Sequence, residues 1–261
     1  MTSFRERYGP WALVAGASEG LGFAFADDCA RRGLDVVLVA RRAQVLEARA
    51  SELTRRHGVR TRALPLDLAA PGLAERARAI AAELPIGLVI LDAAYAPRGE
   101  LHDHPLDELL RAIDVNVRAP LTLARELGAP MRERGRGGLI VVSSVAGLRG
   151  TETLATYAAT KAFGRVLAEG LYAELRPRGV DVLACLAGAT RTPGYEATTR
   201  RDVAPVMEPR DVARATLDAL GRGPVFVPGR SNRAAVWALE RVLPRRVAIA
   251  LLGRSTRALN G

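Results

Sequence analysis

Tyr157 and Lys161 stand four positions apart in Ala155-Thr156-Tyr157-Ala158-Ala159-Thr160-Lys161, a run whose small and apolar residues predict a helix. Positions i and i+4 share a helix face, so the phenol would lie beside the ammonium. That is a workable acid/base unit, because a neighbouring positive charge favours a phenolate over a phenol. The chain holds 38 basic residues, and Lys161 is the only lysine among them. Arginine everywhere else and lysine here points to a site that needs a compact ammonium on a flexible stem rather than a planar fork. Alone, the pair also fits a solvated Tyr–Lys contact on an amphipathic helix, so its context has to decide.

The context begins near the N-terminus. Residues 11–15 form a short apolar run, followed by Gly16-Ala17-Ser18-Glu19-Gly20-Leu21-Gly22 and a helical pattern over 23–32. Strand, glycine-rich turn and helix together place backbone N–H groups against a pyrophosphate. The GxxxGxG spacing by itself also suits an ordinary tight turn. A second apolar strand over 34–40 ends in Arg41-Arg42, with no acid at its close. An acid there would hold a ribose 2′-hydroxyl, whereas an arginine accommodates a 2′-phosphate, so the pattern favours NADP(H) over NAD(H). The blander reading makes both arginines the start of the next helix.

Apolar strands are predicted at 59–66, 86–91, 139–142, 180–186 and 225–227. Helices are predicted at 43–57, 70–84, 106–134 (with breaks near Pro120 and Pro130), 153–176 and 209–220. Residues 187–208 read as irregular, with room for one short helix. Continuous rather than alternating apolar runs suit strands buried on both faces of a parallel sheet. Strands alternating with helices predict right-handed crossovers and an α/β fold, a single-domain, doubly wound, seven-stranded parallel sheet with helices on both faces. The glycine turn, Arg41, Asp67, Asp92, Ser144 and Thr190 all follow strand ends, and in such a sheet they gather on one rim.

Composition narrows the classes. The 261 residues are 49% apolar, enough for a sizeable core. No apolar run reaches the length of a membrane span, and residues 1–10 lack the apolar core of a signal peptide. Cys29 and Cys185 sit alone in apolar stretches, which predicts buried thiols and a reducing, cytoplasmic setting. The net charge of +10 raises nucleic-acid binding, but the arginines are mixed with acids and aromatics are only 5%, so no nucleic-acid partner is expected. His102 and His104 have no matching ligands nearby, and no metal site is expected.

Residues 231–261 read as a basic, amphipathic helical extension packed on the domain formed by 1–230. Pro244 divides it into two short helices, and Arg233, Arg241, Arg245, Arg246, Arg254 and Arg257 surround its apolar positions. Such a segment packs over a pocket or a subunit partner, or makes a peripheral membrane contact; an apolar helical face more often meets protein.

Together these residues resemble the short-chain dehydrogenase/reductases over nearly the whole chain. The resemblance rests on Gly16-x-x-x-Gly20-x-Gly22, Asn116, Ser144 placed 13 residues before Tyr157, and Tyr157-x-x-x-Lys161. Tyr8-Gly9-Pro10-Trp11-Ala12 and Val39-Ala40-Arg41-Arg42 look most like the NADP-using branch that acts on hydroxysteroids and 3-oxoacyl thioesters. It implies that Tyr157 is the general acid in ketone reduction and the base in alcohol oxidation. Lys161 would tune Tyr157 and hold the nicotinamide ribose, Ser144 would polarise the carbonyl, and Asn116 would hold a water leading to solvent. Gly16, Ser18, Glu19, Gly20, Leu21 and Gly22 would line the phosphates and adenosine ribose. Arg41 and Arg42 would take the 2′-phosphate, Asp67 and Leu68 the adenine, Ala93 the ribose, and Thr190 and Thr192 the carboxamide. The implied substrate is a small carbonyl or alcohol of lipid, steroid or polyketide type, and the implied assembly a homodimer or homotetramer. Three positions depart from the family pattern: Ala15 before the first glycine, Leu91-Asp92-Ala93-Ala94 after the fourth strand, and Ala187-Gly188 after the sixth. The Asp92-Ala93-Ala94 stretch motivates an alternative, an NADP(H)-binding sensor or scaffold without turnover.

Overall fold

The computed structural model describes residues 3–197 and 205–260. Val203, in the stretch 187–208 that reads as irregular, and the Arg257 side chain lie outside the described residues. The chain opens with a short helix α1 (Phe4–Tyr8), capped by a reciprocal Ser3–Glu6 box. Strands then alternate with helices as β1 (Trp11–Ala15), α2 (Gly20–Arg31), β2 (Asp35–Ala40), α3 (Ala43–His57), β3 (Thr61–Pro65), α4 (Leu73–Glu83) and β4 (Ile86–Leu91). The second half runs α5 (Leu106–Ile113), α6 (Ala119–Arg134), β5 (Gly137–Ser144), α7 (Ala155–Leu175), β6 (Val180–Ala187), α8 (Pro193–Glu196), α9 (Pro209–Ala219), β7 (Val225–Phe226), α10 (Arg230–Arg241) and α11 (Arg245–Asn260).

All seven strands are parallel, in the order β3-β2-β1-β4-β5-β6-β7. The continuous apolar runs follow from position: β1 and β4 are buried at every residue. Alternate β1 residues enter different cores. Leu13 and Ala15 pack with Leu123, Leu127 and Met131, whereas Ala12 and Val14 pack with Phe25, Leu46 and Leu53. The strand order reverses between β1 and β4, and a crevice opens beyond the strand ends at such a switch point.

One stretch differs from the expected pattern. No break occurs at Pro120 or Pro130. Instead a wide π-turn over Asp114–Arg118 joins α5 to α6. Pro120 falls in the first turn after it, where a missing N–H costs little, and Pro130 lies inside α6 near its C-terminal end.

At the C-terminus Pro244 does separate two helices, but α11 continues to Asn260. Val236, Leu239 and Ala248 turn inward to the core. Arg149 donates to Leu239 O at 3.1 Å, and Thr256 Oγ1 donates to Glu152 O at 2.9 Å. Trp237, Val242, Val247 and Leu251 face outward.

Candidate active site

Helix α7 positions the Tyr–Lys pair by packing along β5 and β6. Lys161 is buried, and its Nζ donates to Val142 O at 2.9 Å. The same ammonium lies 5.6 Å from the centroid of the Tyr157 ring. Ser143 Oγ donates to Lys161 O at 2.7 Å, tying the helix to the end of β5. Ser144 follows, and its Oγ accepts from Ala146 N at 3.2 Å as it caps the turn Val145–Leu148. That leaves the Ser144 hydroxyl hydrogen to donate elsewhere. Gly147 in this turn presses on α7: a Cβ there would stand 2.8 Å from both Ala162 N and Lys161 C. Only glycine therefore lets the Ser144 turn approach the helix that carries Lys161.

Asn116 comes from the π-turn, a feature that often marks functional positions. Its Oδ1 accepts from Tyr95 N at 2.7 Å, while its Nδ2 donates to Tyr95 O at 2.7 Å and to Thr160 Oγ1 at 3.0 Å. Thr160 Oγ1 in turn donates to Tyr157 O at 2.7 Å. Asn116 thus links the loop after β4 to the α7 turn between Tyr157 and Lys161.

A cleft of about 550 Å³ lies beside this centre at the switch point. Its lining includes Gly16, Ser18, Glu19, Gly20, Leu21, Arg41, Arg42, Asp67, Leu68, Ala93 and Thr192, all singled out from the sequence. Gly16 has φ +99°, and a Cβ on it would come within 2.7 Å of Ala93 N. Gly22 lies behind it, where a Cβ would meet Gly16 O at 2.2 Å. These glycines keep a side-chain-free cradle of backbone at the start of α2, which fits a dinucleotide pyrophosphate. Thr192 caps α8 and faces Gly20 from the opposite wall. Thr190, expected beside it, is buried outside the cleft lining, and its Oγ1 donates to Gly188 O at 3.1 Å. The adjacent Thr190–Met207 bridge turns this residue into the fold.

The far end of the cleft is cationic. Arg42 donates to Glu19 Oε2 at 2.6 Å and to Ser18 Oγ at 3.2 Å, reaching back over the glycine turn. Arg41 is exposed beside it. Asp67 accepts from Arg111 Nη2 at 2.8 Å and from Ala69 N at 3.0 Å. Partial burial pushes the Asp67 carboxyl up, but those hydrogen bonds and the charges of Arg111 and Arg41 hold it below its ordinary value. Arg111, Tyr95 and Val115 line the same cleft and were not read from the sequence. The one available signal is the i,i+4 spacing of Arg111 and Val115, which puts both on one helical face.

Asp92, one of the departures from the family pattern, lies at the cleft floor. Burial pushes its carboxyl up to about 6, restrained by the charge of Lys161 and the Gly22 N–H. Asp92 N and Ala93 N both donate to Ala15 O, at 3.0 and 2.8 Å, so backbone alone joins β4 to β1 where a threonine is usual. Ala94 is exposed on the cleft wall. Cys185 is inert by burial, which pushes its thiol up to about 12. His104 pairs with Glu108 at 2.9 Å, and among the described residues no cluster of His, Cys, Asp or Glu suits a metal ion. None of the described helices is long and apolar enough to cross a membrane.

A parallel sheet with a glycine cradle at its switch point and a Tyr–Lys pair beside it defines a dinucleotide-dependent oxidoreductase fold. The short chain dehydrogenase model matches residues 10–202, and the chain belongs to the short-chain dehydrogenase/reductase family. Members bind a nicotinamide cofactor and act on hydroxyl and keto groups. The 7beta-hydroxysteroid dehydrogenase of Clostridium sardiniense is 33% identical over 97% of this chain and 97% of its own length. The very-long-chain 3-oxoacyl-CoA reductase of Aspergillus fumigatus is 34% identical over 82% of this chain and 63% of its own. A short-chain dehydrogenase from Sphingobium yanoikuyae, solved in complex with NADPH, superposes with a TM-score of 0.80 at 34% identity, covering 89% of this chain and 92% of that one.

Proposed function

We propose that this protein interconverts a ketone (or aldehyde) and an alcohol with NADP(H), with Tyr157 as the general acid and base. The observation that carries the reading is the placement of the chain's only lysine. Lys161 is buried, 5.6 Å from the Tyr157 ring and joined through the Asn116–Thr160 hydrogen bonds to the wall of a glycine-floored cleft. The cofactor, when bound, supplies or receives the hydride. Tyr157 gives its proton to the carbonyl oxygen in reduction and takes one from the alcohol in oxidation. Ser144 donates to the same oxygen and orients it. Lys161 holds the ribose and tunes Tyr157, while Asn116 keeps the helix turn and the proton path in register.

Gly16, Ser18, Glu19, Gly20, Leu21 and Gly22 would form the phosphate and ribose cradle, with Ala93 opposite. Arg41 and Arg42 would receive the 2′-phosphate, and Asp67 with Leu68 the adenine. Thr192, which faces Gly20, is the carboxamide contact this geometry favours over the buried Thr190. The hydroxysteroid and acyl-thioester relatives suggest a bulky apolar ketone as substrate. Residues 231–261 would cover the same domain, a reading supported by the inward Val236, Leu239 and Ala248. Outward-facing Trp237, with Arg233 and Arg241 nearby, is the part available to a second subunit or a membrane surface.

The test is turnover of NADPH over a panel of steroid ketones, 3-oxoacyl thioesters and small ketones, for wild type and Tyr157→Phe. Loss of a general acid costs about 10²–10⁴ in rate. Turnover by wild type, lost in Tyr157→Phe with NADPH binding retained, is the expected result. NADPH binding with no turnover on any ketone would instead favour the sensor reading that Asp92 motivates.

A further inference from the structure

Arg111 is the strongest unassigned feature of the cleft. It reaches from α5 across to the end of β3, where Nη2 meets Asp67 Oδ2 at 2.8 Å. Its guanidinium carbon lies 5.9 Å from the centroid of the Tyr95 ring. Tyr95 is fixed as well, by main-chain bonds to Asn116 and by its hydroxyl, which donates to Glu108 Oε1 at 3.0 Å. Asp67 is therefore gripped on both oxygens, Oδ1 by Ala69 N and Oδ2 by Arg111. A carboxylate oxygen has more than one lone pair, so each can still accept from a ligand in the cleft.

The pair adds little to stability. Both side chains are about one-third exposed, at 34% and 38%, and exposed ion pairs contribute about 0–1 kcal/mol. Orientation is the stronger reason for its geometry. A free carboxylate at a strand end samples several rotamers, and ordering it on binding costs affinity.

We propose that Arg111 is a positioning residue for the adenine base: by gripping Asp67, it aims that carboxylate at the 6-amino group. The proposal rests on the dinucleotide reading of the cleft and adds to it the residue that sets selectivity for the base. Arg111 acts from α5, outside the glycine turn, by a direct hydrogen bond to Asp67, whereas Arg41, at the end of β2, reaches that carboxylate through its charge. Its effect should accordingly follow the base rather than the 2′-phosphate.

The test compares binding of NADPH, NADH and the hypoxanthine analogue of NADPH, in which an oxo group replaces the 6-amino donor. Fluorescence titration would be run on wild type, Arg111→Met and Arg111→Lys. A hydrogen bond to a charged group contributes about 1.5–3 kcal/mol, and every 1.4 kcal/mol is tenfold, so wild type should bind the analogue roughly tenfold more weakly than NADPH. In Arg111→Met that preference should shrink to about twofold, with NADPH and NADH weakened alike. Arg111→Lys, which keeps the charge but not the planar grip, should restore part of it. A base preference unchanged in Arg111→Met overturns the proposal, as does a loss confined to NADPH, which would make Arg111 a phosphate ligand. Failure of wild type to bind any of the three would overturn the cofactor reading and this proposal with it.

Discussion

The surroundings of the Tyr157–Lys161 pair and the cationic end of the neighbouring cleft are held by opposite means. Around the proposed catalytic pair, buried side chains are fixed by main-chain groups: Lys161 by Val142 O, Asn116 by both polar atoms of the Tyr95 backbone, and Thr160 by Tyr157 O. At the adenosine end, exposed side chains hold one another: Arg42 with Glu19, and Arg111 with Asp67. A buried donor left unpaired costs its desolvation, so the first arrangement permits one geometry. Exposed pairs are individually weak and can exchange partners when an anion arrives. On the reading proposed above, the chemistry would need fixed atoms around Tyr157, whereas at the cationic end the Arg42–Glu19 pair would open to take up a phosphate while the Arg111–Asp67 pair would hold.

The sharpest way to break this contrast is Lys161→Arg. Arginine keeps the charge, but it is larger, planar and donates in a fork. The Lys161 side chain is buried with its ammonium on Val142 O, and Gly147 presses on its main chain and Cβ. Turnover should fall about 100-fold or more, and overpacking should cost about 1–3 kcal/mol of stability. Steady-state rates and denaturant unfolding check both. Near-normal turnover would mean that the catalytic end tolerates exchange as the surface end does.

Arg41→Ala probes the other end and should have a smaller effect. Removing one charged partner of a phosphate corresponds to a loss of roughly tenfold or more in NADPH affinity, at about 1.5–3 kcal/mol. NADH should change by less than about twofold, and stability should stay within about 0.5 kcal/mol, as for an exposed substitution. Paired binding titrations decide the matter. Equal losses for both nucleotides would reduce Arg41 to a residue at the start of α3.

The same contrast explains what could be read from the sequence. The strands were legible because burial on both faces writes continuous apolar runs, and β4 and α3 fall where the pattern puts them. Ser144, Tyr157 and Lys161 were legible because short spacings encode them on one helix and the strand before it. The π-turn was not. It is a choice of backbone hydrogen bonds rather than of residue pattern, and Pro120 beside it read as a break. Helix α1 was not read from the sequence, although Ser3 and Glu6 stand at capping-box spacing. The Arg111–Asp67 and Asn116–Tyr95 partners lie 44 and 21 residues apart, and only the fold brings them together. Thr190 shows the converse: it lies two residues from Thr192 in sequence, yet it is buried outside the cleft lining that Thr192 joins.

Asp92 sits between the two ends and is the floor group that titrates near neutrality, so it gives the finest test. It faces the Gly22 N–H from α2, Lys161 from α7 and the un-ionised Cys185 from β6. Its carboxyl is raised from 3.8 to about 6, so between those values the folded protein keeps a proton that the unfolded chain has lost. Folding is then favoured by this group at low pH, and that advantage disappears as pH rises through about 6. A shift of about two units corresponds to at most about 3 kcal/mol, and access to the open cleft trims that to about 1–2 kcal/mol. Asp92→Asn removes the titration while keeping the shape. Its melting temperature should match wild type below about pH 4 and exceed it by several degrees at pH 8, with the gap opening between about pH 4 and 6. The same substitution takes a negative charge from beneath the pyrophosphate cradle, so NADPH binding should tighten at pH 8 and change little at pH 5. A gap independent of pH would show that Asp92 stays ionised throughout, held by Lys161, and would assign the cleft floor to the fixed catalytic end.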